Sequence, residues 1–150
     1  MFVDWLFASF HHLAVFSLAA ILSAEIFLTA GAIDDRMALR LARVDAWFGI
    51  MAAIALAAGL LRVFLGAKGV DYYLANTFFW AKMALFAAVG LISIAPTFSY
   101  LVWRRRVRAD ASYRPPASEI ARLRRALYAE AGLFALIPLC AAAMARGYGM

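Results

Sequence analysis

Lys82, His11 and His12 each lie inside a strongly apolar run of residues. A cation and two imidazoles in lipid-embedded helices are expensive, so each needs a reason. Histidine can ligate iron, and a lysine or arginine can neutralise a carboxylate. Arg62, near the end of the second apolar run, adds a further cation, while Glu25, Asp45 and Glu130 carry acids into or beside the other runs. Neighbouring helical positions point about 100° apart, so His11 and His12 cannot face one centre. One of them is an interfacial hydrogen-bonder.

The helices that must position these residues are legible from hydropathy. The chain has 150 residues, 67% of them hydrophobic, and a mean hydropathy of +0.81. Soluble domains are about 45–50% apolar, and a chain this short cannot bury the excess. An integral membrane protein follows. Runs at about 5–30, 44–65, 78–102 and 125–145 can each span a bilayer, which takes about 20 residues. The second run reads as the end of a helix beginning near Asp35, with Asp34 as its N-cap. Pro115 and Pro116 followed by Ser118 mark the approach to the fourth. The first run is too long for a leader's apolar segment and is preceded by Asp4 rather than by basic residues. One fold class fits: all-α, an integral membrane up-down-up-down four-helix bundle forming a single domain over 1–150. Gly49, Gly59, Gly90 and Gly132 are expected to allow close backbone approach. Pro96 and Pro138 are expected to kink the third and fourth spans.

The formal charge is +6, and eight of the fifteen Lys and Arg residues fall within 104–125. That concentration marks a cytoplasmic loop rather than a nucleic-acid surface. Arg36, Arg40 and Arg43 place the first connection on the same side, which puts both termini outside a bacterial inner membrane. Cys140 is the single cysteine and excludes an intrachain disulfide.

At a rise of about 1.5 Å per residue, His11 and His12 lie roughly 10 Å below the outer surface, with Lys82 at a similar or shallower depth. With Arg62 they can share an outer-leaflet pocket, with Tyr72, Tyr73 and Trp80 above it. Each also has a plainer reading: Lys82 and Arg62 snorkel to the headgroups, and the aromatics form an interfacial belt. Glu25 is expected to pair with an arginine at the inner end, Arg43 and Asp45 to be interfacial, and Asp45 and Glu130 to pair with Arg43, Arg124 or Arg125. The outer cluster suits an anionic, largely apolar ligand, such as haem b or another porphyrin; a quinone or a lipid also fits. Two bis-histidine haems would need four histidines, and the chain has two.

The segments HHLAVFSLAAILSAE, LARVDAWFG, GLLRVF, KGVDYYLANTFFWAKMALF and LISIAPT resemble a family of bacterial four-helix membrane proteins known as a domain of unknown function. That resemblance implies fold and location and brings no activity. More distantly, the chain resembles the HemJ-type protoporphyrinogen oxidases. His11, Ala14, Val15 and Ser17 match their H-x-x-A-V-x-S pattern. Residues 81–85 resemble their V-K-L-A-L. This resemblance implies His11 as the haem ligand and Lys82 as the catalytic residue. The chain departs from the pattern at Leu18–Ile21, where those enzymes carry Trp-x-x-Gly, and again around Glu25.

Three functions remain open on the sequence. The first is a haem- or porphyrin-binding redox protein, with His11, Arg62, Tyr73, Trp80 and Lys82 at its site. The second is a non-enzymatic subunit that assembles with a membrane partner. The third is a small transporter working as a homo-oligomer. Contact with the lipid bilayer is common to all three, and nucleic acid to none.

Overall fold

The computed structural model describes residues 2–150, with side chains from Trp5 onward, so the side chain of Asp4 lies outside it. Five helices follow one another: α1 (Phe2–Leu28), α2 (Asp35–Leu65), α3 (Val70–Ala75), α4 (Thr77–Ala109) and α5 (Ala117–Ala145). The fold is all-α, with no strand among the described residues. Four of these helices are long and apolar enough to cross a membrane. The long helices pack in a ring, α1 on α2, α2 on α4, α4 on α5 and α5 back on α1.

The buried positions explain the ring. Along α1 and just past its end they are Ala14, Leu18, Leu22, Glu25 and Thr29. Steps of three and four keep one narrow stripe facing inward. The stripes of the other helices meet it through Leu41, Phe48, Ala55, Val89, Tyr100, Trp103, Leu123 and Leu127. Outside the stripe, large apolar side chains such as Phe16, Phe27, Leu91 and Leu139 stay exposed. Lipid tails are as apolar as these residues, so packing and interhelical polar contacts hold such a bundle together. Two contacts tie α4 to its neighbours. Trp103 Nε1 donates to Glu119 Oε2 of α5 at 2.9 Å, and Thr97 Oγ1 donates to Asp45 Oδ1 of α2 at 2.8 Å.

The helices extend past the apolar runs at the arginine-rich end. α4 has 33 residues, about 50 Å of helix, against a hydrocarbon core of about 30 Å. α5 begins at Ala117, eight residues before the fourth apolar run. Asp34 caps α2, accepting a hydrogen bond from the Met37 amide at 2.7 Å. Both α4 and α5 remain helical through Pro96 and Pro138.

At the arginine-poor end, the short helix α3 occupies a segment that reads as plain loop. Gly69, at φ +75°, opens it in a conformation that suits glycine. Asn76 closes it and starts α4: its Oδ1 accepts from the Phe78 and Phe79 amides. Its Nδ2 donates to the Tyr148 carbonyl, which ties the C-terminal turn to the same junction.

Candidate functional site

Two polar clusters sit inside the bundle, one toward each end. The cluster at the arginine-poor end surrounds a cavity of about 70 Å³, open on one side. α1 contributes His11 and Val15; α2 contributes Ala55, Leu56 and Gly59; α4 contributes Phe79, Lys82 and Phe86. Phe134 and Ile137 of α5 close it from below.

His11 is held firmly. Its Nδ1 lies 2.9 Å from the Ala55 carbonyl oxygen. A carbonyl only accepts, so Nδ1 carries the proton, and in the neutral ring Nε2 is left as the free acceptor. The ring rests on Gly59, where an added Cβ would come within 3.2 Å of His11 Cε1. Gly59 therefore does make room for a close approach. Gly49, Gly90 and Gly132 do not: nothing lies within 4 Å of a Cβ placed on any of them. His12 points out of the bundle and is exposed.

Lys82 reaches the same cavity, its Nζ 5.3 Å above the Phe79 ring. Arg62 does not line the cavity, but its charge acts on both His11 and Lys82. Among the described residues its buried Nε has no hydrogen-bond partner. Among the described residues no carboxylate acts on His11 or Lys82, and the one group there able to become negative is Cys140, beside Lys82.

Tyr73 and Trp80 are not part of this cavity. Tyr73 is buried in a separate cluster with Val63 and Phe79. Trp80 is exposed, and its Nε1 donates to the Leu74 carbonyl at 3.0 Å. Tyr72 donates to the Met144 carbonyl at 2.8 Å and accepts from Lys68 Nζ at 3.0 Å, a bracing role for the C-terminal turn.

The cluster at the arginine-rich end overturns the expected ion pairs. Glu25, Asp45 and Glu130 are all buried, and Tyr100 lies among them. Glu25 interacts with Asp45 and Glu130 and with no arginine. Glu130 interacts with Asp45, and Asp45 accepts a hydrogen bond from the Thr97 hydroxyl. Arg43 lies instead on the outer surface, lining a shallow groove with Arg36, Arg40 and Trp47. Asp45 is buried inside the bundle. The register of α2 explains the correction: Arg43 and Asp45 are two residues apart, about 200° around the helix, so they leave it on opposite faces.

Haem can be tested against the arginine-poor cavity. The donor set fits. A ligating histidine commonly donates its other N–H to a carbonyl, as His11 does, and two cations stand near for propionates. The space does not fit, since ligand pockets run to about 300–1,000 Å³ and this cavity is about 70 Å³.

Fold and sites together define a class: a four-span helical membrane protein with a cationic cavity at one end and a buried acidic cluster at the other. Residues 3–149 match the family described as "Predicted membrane protein (DUF2214)", and the chain belongs to that family. No curated protein and no solved structure matches it.

Proposed function

We propose that the protein binds an anionic amphiphile from the membrane, with the acidic head among His11, Lys82 and Arg62 and the apolar tail along the open side of the cavity. One observation carries this reading: three basic groups converge where, among the described residues, no carboxylate answers them and a guanidinium Nε is buried without a partner. Buried basic groups are costly unless paired, so an acidic head is the chemistry they lack. The walls suit an alkyl or isoprenoid chain, being Leu56, Leu60, Met83, Phe86 and Phe134. Leu56 and Leu60 are also exposed on the outside of α2, so the cavity opens toward lipid. In this reading Lys82 is a headgroup ligand. The arginine distribution supports a position for the cavity in the outer half of a bacterial inner membrane.

The test compares oleate with oleyl alcohol, equal in chain and different in charge, on purified protein by native mass spectrometry. Oleate is expected to bind saturably and the alcohol at least tenfold more weakly. Lys82→Met should weaken oleate by about tenfold or more, the scale of one hydrogen bond to a charged group. Equal binding of the two lipids would sink the proposal. A porphyrin is the second reading: the free Nε2 of His11 favours it and the small cavity of about 70 Å³ counts against it. Haemin titration giving a Soret band that His11→Ala abolishes and His12→Ala leaves would establish it.

A further inference from the structure

We propose that Glu25, Asp45, Glu130 and Tyr100 form a binding site for a single monovalent cation, H⁺ or Na⁺, in the arginine-rich half of the bundle. The site draws on all four long helices: Glu25 from α1, Asp45 from α2, Tyr100 and Thr97 from α4, and Glu130 from α5. Glu25 is 2% exposed, Glu130 1% and Tyr100 0%. Glu25 Oε1 and Glu130 Oε1 have no hydrogen-bond partner. Tyr100 Oη supplies an independent sign of a missing ligand. It is a neutral hydroxyl, wholly buried and unpartnered, within electrostatic reach of all three carboxyl groups.

The neighbours that could have satisfied these oxygens are engaged elsewhere. Trp103 Nε1 donates to Glu119, Thr97 Oγ1 to Asp45, and Thr29 Oγ1 to the Glu25 and Ile26 carbonyls. Among the described residues no basic side chain acts on Glu25, Asp45 or Glu130. Buried polar atoms in membrane proteins find partners inside the bundle or mark ion pathways. Oxygen-only donors suit a hard cation. Among the described residues no three His, Cys, Asp or Glu side chains stand close enough to hold a metal ion together. The cation is therefore held by one or two of these carboxyl groups at a time together with hydroxyl oxygen, not by all three at once, and so few charged ligands disfavour a multivalent ion.

Dicyclohexylcarbodiimide attacks protonated carboxyl groups in apolar surroundings and separates the two cations. Purified protein at neutral pH is treated with the reagent in K⁺ buffer and in Na⁺ buffer of equal ionic strength, and the adduct is mapped by peptide mass spectrometry. Labelling of Glu25 or Glu130 in both buffers is the result expected for H⁺. Labelling in K⁺ with protection by Na⁺ is the result expected for Na⁺. Infrared difference spectra between the two buffers and across a pH series provide the second measurement, independent of reagent access. No label in either buffer, together with carboxyl bands that respond to neither Na⁺ nor pH, overturns the proposal. The conservative Tyr100→Phe removes only the orphaned hydroxyl. It should change the labelling rate, or the Na⁺ concentration giving half protection, several-fold; no change in either would overturn the place of Tyr100 in the site.

Discussion

At the scale of single residues, the contact of His11 with Gly59 separates stability from binding. Gly59→Ala places a methyl group 3.2 Å from Cε1 and 3.3 Å from Nδ1 of the ring, so the imidazole must give by a few tenths of an ångström. The substitution gains about 1 kcal/mol of helix propensity and disturbs a hydrogen bond worth about 1 kcal/mol. The two offset, so thermal stability should change little while oleate binding falls several-fold. Gly90→Ala, which meets nothing, should leave binding unchanged; equal effects of the two variants would contradict the role given to His11. Much of this site was legible in the sequence. The 100° between His11 and His12 required that they part, and depth counting brought Lys82 to His11. The failures share one cause, which is that depth counting ignores register. Trp80 lies two residues before Lys82 and so on nearly the opposite face. Arg124 and Arg125 share the end of α5 that holds Glu130, but lie well over 100° around the helix from it. Composition counts charges and does not say which face each one takes.

At the scale of elements, hydropathy located the four spans but not their full lengths, because α4 and α5 continue past the lipid as amphipathic, arginine-rich helix. The short α3 was not legible. It rests on Gly69, on the double cap of Asn76 and on a return contact from Tyr148, and none of these has periodicity. The start of α2 was legible because Asp34 is a standard cap followed by helix formers. Asp34→Ala should cost about 1 kcal/mol, read as a lower unfolding temperature in detergent. The turn between α4 and α5 adds a pH-dependent piece. Hydrogen bonds from the Ser112 hydroxyl and amide hold the Asp110 carboxyl below the usual carboxylate range. A depressed folded value means the turn gains its support above the ordinary carboxyl pKa and loses it as pH falls through the lowered one. The protection of the Ser112 amide, taken relative to its intrinsic exchange rate at each pH, should therefore fall in acid, and Asp110→Asn should remove that acid dependence.

At the scale of the whole molecule, the two clusters and the arginines form one polarity. The cationic cavity lies at the end with few basic residues, and the acidic cluster lies at the end whose connections carry Arg36, Arg40, Arg43 and the eight basic residues of 104–125. Those arginines stay on the surface, where Arg36, Arg40 and Arg43 line an open groove, so they are free to set orientation and are not consumed by the buried acids. Loops rich in Lys and Arg remain on the cytoplasmic side, and an even number of spans returns the chain to the side where it began. Both termini are therefore expected outside, with the α4–α5 connection inside. With that orientation, the cavity proposed for an amphiphile would lie in the outward-facing leaflet and the proposed cation site within reach of the cytoplasm. Reporter fusions after Met150 and within 109–112 should report opposite sides of the membrane. Opposite sides with Met150 inside would invert both assignments while keeping the four spans. The same side for both fusions would mean that one of the four long helices does not cross.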